Sequence, residues 1–187
     1  LDEYRKLAVR NSRGVPGKVR LAAEIIIALF VGVVLYFKPG FSAQVTIPFF
    51  KTVLPNLGWG YVLLCVFIIV GAANAVNLTD GLDGLATGPA GICFVTYLLF
   101  AYFAGNVKVA HYLQIPYVPG AGELSVFCGA FMGAALGFLW FNAHPAEIFM
   151  GDVGSLSMGG ALGTVAVITK QEILLAIVGG VFVMETF

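Results

Sequence analysis

Residues 58–85 read GWGYVLLCVFIIVGAANAVNLTDGLDGL. The first part of this stretch, 58–76, is apolar and contains no charged residue. A helix needs about 20 mostly apolar residues to cross a bilayer, so this part is predicted to span a membrane. Asn77, Asp80 and Asp83 follow directly. The stretch therefore predicts a transmembrane helix that delivers amide and carboxylate side chains to the membrane surface.

The whole chain has the composition of a membrane protein. Of its 187 residues, 59% are hydrophobic and 11% are charged, and the mean hydropathy is +0.94. Soluble domains carry roughly 25% charged residues, and a soluble chain of this length could not hide so much apolar surface from water. The formal net charge is zero, so no overall field favours binding to nucleic acid.

The apolar stretches predict the fold class, an all-α polytopic integral membrane protein with one transmembrane domain over residues 1–187. About six spans are predicted, at 21–37, 58–76, 90–104, 124–141, 155–169 and 173–187. Within one of them, Gly129, Gly133 and Gly137 recur at four-residue spacing, which favours close helix packing in lipid. The 3 cysteines lie far apart in apolar stretches and are interpreted as buried thiols.

The basic residues predict the orientation of these spans. Most of the 10 Lys and Arg residues precede the first span, and the positive-inside rule places that segment in the cytoplasm. Alternation then puts loops 77–89 and 142–154 inside, and loops 38–57, 105–123 and 170–172 outside. The β-prone stretch 45–50, interrupted by Pro48, predicts at most a small outer hairpin. Every aspartate falls in a predicted cytoplasmic segment, so carboxylates from distant segments are expected to meet at one membrane face.

The segment after the second span is interpreted as a polar substrate site. Asn77, Asp80 and Asp83 recur every third residue, a spacing that keeps them on one side of a helical or 3₁₀ turn. The alternative is a helix cap and turn, with Thr79 or Asp80 as the N-cap. A cap needs a single carboxylate, whereas this segment offers two carboxylates and an amide.

The segment before the fifth span also carries candidate functional groups. Asp152 lies between two glycines immediately before the apolar run, a setting that suits Mg²⁺, which takes oxygen ligands and binds substrate phosphates. His144 is a candidate base or ligand, and because Pro145 follows it, it is equally a candidate turn residue. Phe149 is either interface packing or a stacking platform for a base.

The N-terminal segment adds two adjacent carboxylates, Asp2 and Glu3, beside the cations Arg5 and Lys6. Adjacent carboxylates repel unless a metal or a cation offsets their charge. The basic run either anchors the chain to anionic lipid or binds phosphate directly. Carboxylates for Mg²⁺, a lysine for phosphates and an aromatic ring for a base, all at a lipid interface, together suggest phosphoryl transfer.

Residues 74–86, 141–146 and 149–156 closely resemble the phospho-N-acetylmuramoyl-pentapeptide transferase family, within the polyprenyl-phosphate N-acetylhexosamine-1-phosphate transferase superfamily. The resemblance extends from Asp2 to Phe187. It implies a ten-helix, homodimeric enzyme of the bacterial inner membrane, of which this chain is expected to hold the middle and later portion. The implied reaction transfers phospho-N-acetylmuramoyl-pentapeptide from UDP to undecaprenyl phosphate. It gives lipid I and UMP for peptidoglycan synthesis, with Mg²⁺ and with the active site facing the cytoplasm.

The resemblance also implies roles for individual residues. Those expected in catalysis are Asp2, Glu3, Lys6 and Asp152, with Asp152 also the magnesium ligand. The candidates for substrate binding are Lys18, Asn77, Asp80, Gly81, Leu82, Asp83, Asn142 and Phe149, together with His144, which is a candidate from the residues themselves. Those expected to form a uridine pocket are Gly81, Leu82, Asp83, Asn142 and Phe149, with the ring of Phe149 stacking on the base.

The sequence departs from the family pattern in two places. Glu3 stands where the family has a second aspartate, which lengthens that side chain by one methylene. The family's triple-histidine loop is expected beyond Phe187, outside this chain. The segment alone is therefore expected to be inactive.

Two other functions compete with this interpretation. A sister transferase would use UDP-N-acetylglucosamine, but Leu78-Thr79 and residues 142–145 favour the muramoyl-pentapeptide enzyme. A secondary transporter would relay ions through carboxylates near mid-span. The candidate carboxylates here lie at span ends on one face, and Glu24 and Glu185 also lie near predicted ends.

Overall fold

The structure is a computed structural model that describes residues 16–48, 50 and 54–186. Over these residues the chain is helical, with one isolated antiparallel bridge between Gln44 and Asn56 in place of the predicted outer hairpin. The α-helices are α1 (Gly17–Phe37), α2 (Gly60–Thr79), α3 (Thr87–Gly105), α4 (Val107–Leu113), α5 (Leu124–Asn142), α6 (Gly151–Ile168), α7 (Leu174–Val178) and α8 (Gly180–Thr186). The predicted all-α fold is confirmed.

Within the described ranges, 5 helices are long and apolar enough to cross a membrane. They are α1, α2, α3, α6 and the helical stretch Ala121–Asn142 that includes α5. Each coincides with a predicted span. The remaining predicted span, 173–187, is helical over Leu174–Val178 and Gly180–Thr186. It is divided into α7 and α8 because the backbone leaves the helical conformation at Gly179 (φ −89°, ψ 22°).

Turn-forming residues set where the helices end. α1 stops before Lys38, whose extended backbone (ψ 127°) is the conformation favoured by a residue that precedes proline. Asn106 begins α4, and its Oδ1 accepts hydrogen bonds from the backbone N–H groups of Lys108 and Val109 at 3.0 and 3.2 Å. Such a cap satisfies backbone donors that have no partner within the helix. These ends decide which side chains reach each face of the bundle.

α2 is the central helix, and it packs against α1, α6 and α8, while α3 packs against α5. Its contact with α6 is made through glycine. A Cβ placed on Gly159 would lie 2.4 Å from the carbonyl oxygen of Ala72, and one on Gly163 would lie 3.2 Å from the Ala72 Cβ. In lipid, small residues let helix backbones approach closely and gain van der Waals contact. Glycine therefore sets the spacing between α2 and α6.

The glycines of α5 do not play the predicted role. A Cβ on Gly133 or Gly137 would meet no atom within 4 Å, and one on Gly129 would make an ordinary contact of 3.4 Å with Leu98. Within the described part of the chain, the prediction that these glycines form a close helix crossing is therefore wrong. The close approach occurs in α6 instead, where the glycines face the backbone of α2.

The exposed surface of the bundle is strongly apolar. Phe67 is 77% exposed and Trp140 is 83% exposed, whereas Phe94 and Tyr97 between the helices are fully buried. A soluble protein would lose much free energy by leaving such side chains in water. A bilayer removes that penalty, so this surface supports the membrane-spanning assignment.

A buried ion pair closes the end of the bundle where α6 finishes. Lys170 Nζ lies 3.9 Å from Glu172 Oε1, with the two side chains 5% and 0% exposed. The same ammonium lies 3.8 Å from the ring centroid of Tyr61 and donates to the backbone carbonyl oxygen of Ser42. Burial lowers the pKa of Lys170 to about 8 and raises the pKa of Glu172. This pair ties the loop after α1 to the turn after α6, a role that the sequence did not predict.

The glycine contact generates a stability prediction. Gly159→Ala should destabilise the protein by about 1–3 kcal/mol, the usual cost of overpacking, because the new methyl group meets the α2 backbone. Gly160→Ala is the matched control, since a Cβ there meets no atom within 4 Å. Thermal unfolding of the full-length protein in detergent would measure both. Equal unfolding midpoints for the two variants would contradict the close contact between α2 and α6.

Candidate functional site

A polar cavity of about 180 Å³ lies where the end of α2 and the start of α6 meet the α2–α3 and α5–α6 loops. Its lining residues are Asn77, Asp80, Gly81, Leu82, Asp83, Asn142, Phe149, Met150, Gly151 and Asp152. All of these except Met150 and Gly151 are candidates from the sequence. Two larger cavities, of about 500 and 550 Å³, have predominantly apolar walls and offer no comparable set of polar groups.

Asp152, in the first turn of α6, is held by side chains from two other helices. Its Oδ1 accepts a hydrogen bond from Asn77 Nδ2 at 3.0 Å, and its Oδ2 accepts one from Arg20 Nη1 at 3.2 Å. Asn77 Nδ2 also donates to Ser155 Oγ at 2.8 Å. The Asp152 side chain is 41% exposed. The carboxylate is therefore fixed in orientation by α1 and α2 while remaining open to the cavity.

Arg20, Glu24, Asn74 and Ser155 are polar neighbours of the site that sequence reasoning did not select. Arg20 Nε lies 3.6 Å from Glu24 Oε1, and Asn74 Nδ2 donates to Glu24 Oε2 at 2.6 Å. A signal was present, because Arg20 and Glu24 are spaced i,i+4 at the start of an apolar helix. Ionisable residues inside a predicted span are functional candidates by default.

Asp80 adds a second carboxylate beside Asp152. Burial, followed by the negative charge of Asp152, raises the pKa of Asp80. Two carboxylates that repel each other favour a cation between or beside them. Among the described residues no group of three or more His, Cys, Asp or Glu side chains could hold a metal. Mg²⁺ needs fewer protein ligands, because it is commonly bound by one or two carboxylates together with waters and substrate phosphates. Asp152 and Asp80 fit that donor set.

Asp83 fastens the α5–α6 loop to the α2–α3 loop. Its Oδ2 accepts a hydrogen bond from the backbone N–H of Ala146 at 3.1 Å and lies 3.2 Å from His144 Nδ1. The His144 side chain is 86% exposed, and His144 does not line the cavity. Of the alternatives left open for His144, this geometry favours the turn residue.

Asn142 lines the cavity but uses its amide to hold the same loop. The side chain is buried, its Oδ1 accepts from Thr87 Oγ1 at 2.9 Å, and its Nδ2 donates to the carbonyl oxygen of Ile148 at 2.9 Å. A buried amide with both ends bonded is costly to disturb. Asn142 therefore positions residues 143–150, including Phe149, relative to α3.

Phe149 and Leu82 lie on opposite loops at the edge of the cavity. Their side chains are 74% and 70% exposed, so neither packs between the helices of the described bundle. An exposed aromatic ring beside a polar cavity is suited to stacking on a planar base. The arrangement offers an apolar rim for a base and a polar interior for phosphates.

The remaining candidates lie elsewhere. Lys18 is exposed near the start of α1 and is not among the residues that line the cavity. Asp2, Glu3 and Lys6 lie outside the described residues.

Comparison with known proteins supports a shared ancestry for this site. Residues 11–170 match the family described as glycosyl transferase family 4. A protein of Syntrophus aciditrophicus is 73% identical over 186 residues, which cover 100% of this chain and 52% of the relative. One from Desulfotalea psychrophila is 61% identical over 184 residues, covering 98% of this chain and 51% of the relative. One from Geobacter sp. (strain M21) is 60% identical over 185 residues, covering 99% of this chain and 52% of the relative.

Each of these relatives is named phospho-N-acetylmuramoyl-pentapeptide-transferase. The chain spans about half the length of these curated relatives. The family match covers most of the chain and includes every residue that lines the polar cavity. The chain therefore belongs to glycosyl transferase family 4.

Proposed function

We propose that the full-length protein transfers phospho-N-acetylmuramoyl-pentapeptide from UDP to undecaprenyl phosphate, giving lipid I and UMP for peptidoglycan synthesis. The observation that carries this proposal is the polar cavity at the ends of α2 and α6, with carboxylates inside and Phe149 at its edge. The names of the relatives, at up to 73% identity, support the choice of substrate.

The cavity offers some of the groups that phosphoryl transfer uses, namely carboxylates in its lining and an aromatic ring at its edge. In this chemistry the protein contributes mainly positioning and neutralisation of charge. Phe149 would hold the uracil ring by stacking, and the loops fastened by Asp83 and Asn142 would keep that ring in place. Asp2, Glu3, Lys6 and Lys18 are proposed to complete the site around the phosphates of the two substrates.

The proposed cofactor is Mg²⁺, with Asp152 as its protein ligand and Asp80 nearby. When bound, the ion would neutralise negative charge on the phosphates that react. Asn77 would keep Asp152 turned toward the cavity through the hydrogen bond at 3.0 Å. Asp80, whose pKa is raised by burial and by the negative charge of Asp152, would lie beside the ion as a second carboxyl group.

The proposed location is the bacterial inner membrane, with the site facing the cytoplasm and the protein acting as a homodimer. The spanning helices support a multi-pass membrane protein. The basic residues that precede α1 support the orientation, because they favour the cytoplasmic side.

The two alternative functions have less support. The relatives carry the muramoyl-pentapeptide name, which disfavours a sister enzyme that uses UDP-N-acetylglucosamine. A transporter would be expected to carry its carboxylates along a path through the bilayer. Here Asp80, Asp83 and Asp152 gather at one end of the bundle.

The direct test is release of UMP by the full-length protein in detergent. It would be incubated with a polyprenyl phosphate, Mg²⁺ and either UDP-N-acetylmuramoyl-pentapeptide or UDP-N-acetylglucosamine. We expect UMP release with UDP-N-acetylmuramoyl-pentapeptide and not with UDP-N-acetylglucosamine. Chelation of Mg²⁺ should abolish this release. Release with UDP-N-acetylglucosamine would support the sister enzyme, and no release with either would contradict the proposal.

Asp152→Asn should lower turnover on the order of 10²–10³-fold, the usual effect of removing one group that stabilises charge at a reacting centre. The substitution keeps the shape of the side chain but removes its negative charge. Glu147→Gln is the matched control, because Glu147 is an exposed carboxylate of the loop that precedes α6 and does not line the cavity. Near-normal turnover of Asp152→Asn in the same UMP assay would remove Asp152 from the site.

Phe149→Ala should weaken binding of UMP about tenfold or more, because stacking on an aromatic ring is worth about 1–3 kcal/mol per base. Phe149→Trp and Phe149→Tyr should keep much of the affinity. Phe141→Ala is the control, since Phe141 is an exposed ring near the same loop and lies outside the cavity lining. Calorimetric titration with UMP would give each Kd. An unchanged Kd for Phe149→Ala would mean that the ring does not contact the base.

The orientation can be tested with single cysteines and a membrane-impermeant thiol reagent on spheroplasts. Tyr112→Cys, in the predicted outer loop and 85% exposed before substitution, should react. Glu147→Cys should react only after the membrane is permeabilised. The native cysteines Cys65, Cys93 and Cys128 are buried and should contribute little background. Reaction of Glu147→Cys in intact spheroplasts would reverse the orientation.

A further inference from the structure

Arg20 lies between two carboxylates that belong to different helices. Its Nη1 donates to Asp152 Oδ2 at 3.2 Å, and its Nε lies 3.6 Å from Glu24 Oε1 on the next turn of α1. A guanidinium has five N–H donors in a fixed plane, so one side chain can face both partners. Arg20 is therefore a single cation shared between the cavity and the start of the apolar helix.

The two carboxylates are satisfied to different degrees. Both oxygens of Asp152 accept hydrogen bonds, one from Arg20 and the other from Asn77. Glu24 Oε2 accepts a hydrogen bond from Asn74 at 2.6 Å. Glu24 Oε1 is buried and, among the described residues, has no hydrogen-bond partner. A buried acceptor without a donor carries a free-energy cost, so Glu24 holds an acceptor that a small movement of Arg20 would satisfy.

A divalent cation at Asp152 would compete with Arg20. Both need the lone pairs of the same carboxylate, and two positive charges a few ångströms apart repel strongly at a partly buried site. Asn77 could remain on Oδ1 of Asp152, because it is neutral. The guanidinium on Oδ2 would have to leave. Its Nη2 already lies 3.5 Å from the neutral Asn77 Oδ1, and Glu24 Oε1, 3.6 Å from its Nε, is the charged acceptor within reach.

We propose that Arg20 is a positioning residue that exchanges between two partners. It pairs with Asp152 when a divalent cation leaves the site and with Glu24 when the cation enters. Without the cation, Arg20 orients Asp152 and offsets its charge. With the cation bound, Arg20 pairs with Glu24, which also removes the unsatisfied oxygen. This inference rests on the proposed function in one respect, namely that Asp152 binds the metal.

The test measures metal affinity, without substrate and without turnover. Mn²⁺ would be titrated into full-length protein in detergent, with free Mn²⁺ followed by electron paramagnetic resonance. Arg20→Gln removes the competing cation and should tighten binding about tenfold. Glu24→Gln removes the alternative partner, leaves Arg20 on Asp152, and should weaken binding severalfold.

The double variant decides whether Glu24 acts through Arg20. If it does, adding Glu24→Gln to Arg20→Gln should leave Mn²⁺ affinity nearly unchanged, because a coupled pair is strongly non-additive. If Glu24→Gln weakens binding equally in both backgrounds, Glu24 acts on the metal by its own charge and the exchange is refuted. Shifts of the same sign in the two single variants would also refute it.

Two further variants control for a general charge effect and for misfolding. Lys38→Gln removes a positive charge from the opposite end of α1, where Lys38 is exposed, and should not change Mn²⁺ affinity. If Arg20→Gln does not fold, Arg20→Lys replaces it, because lysine keeps the charge but cannot face both carboxylates. The Arg20→Lys variant should bind Mn²⁺ with altered affinity, and adding Glu24→Gln to it should no longer change that affinity. An undiminished response would overturn the inference.

The outcomes also separate this inference from the proposed function. The exchange alone is overturned if the wild-type protein binds Mn²⁺ and releases UMP but Arg20→Gln and Glu24→Gln do not shift the Mn²⁺ affinity in opposite directions. Wild-type protein that releases UMP without binding any divalent cation overturns both the exchange and the proposed use of Mg²⁺.

Discussion

Helices α2 and α6 approach closely because Gly159 and Gly163 place no side chain between them. At Gly159 even a methyl group would lie 2.4 Å from the Ala72 carbonyl oxygen. Hydrophobic association is weak between helices in lipid, so such contact is a main source of stability there. The same approach places the end of α2 beside the start of α6. The hydrogen bond from Asn77 to Asp152, and with it the polar cavity, depends on this spacing.

Polar groups at this end of the bundle are arranged in a connected network. Arg20, Asn77, Asp152 and Ser155 form a connected set across three helices. Arg20 extends this network to Glu24, which in turn accepts a hydrogen bond from Asn74. Such groups are costly at the edge of a bilayer unless they are paired. The network therefore both stabilises the helix ends and holds Asp152 in one orientation. The unsatisfied oxygen of Glu24 is where the pairing can change.

The opposite end of the bundle uses ionic groups for a different purpose. Lys170 and Glu172 are almost fully buried, and Lys170 reaches the carbonyl of Ser42 in the loop after α1. No cavity with a comparable polar lining accompanies them in the described residues. Their contacts close the bundle rather than open it to a ligand. The bundle thus has a buried structural cluster around Lys170 and Glu172 at one end and the polar cavity with Asp152 at the other.

The amino-acid sequence was enough to predict the fold class, the five helices long enough to cross a membrane and most of the cavity lining. Long apolar runs admit few structures other than helices in a bilayer, and the polar segments after α2 and before α6 held most of the residues that line the site. The packing of the helices was needed to show which glycines make close contacts, because α5 and α6 carry similar glycine spacing and only the partner backbone distinguishes them.

The partners of Asp152 also depend on packing. In the sequence, Arg20 belongs to a basic segment and Glu24 to the end of a predicted span. The sequence pattern alone does not show that α1 directs both side chains toward α6. Asn142 shows the same limit. The sequence selected Asn142 as a site residue, and it does line the cavity. Its hydrogen bonds to Thr87 and Ile148 depend on how α3 and the α5–α6 loop meet.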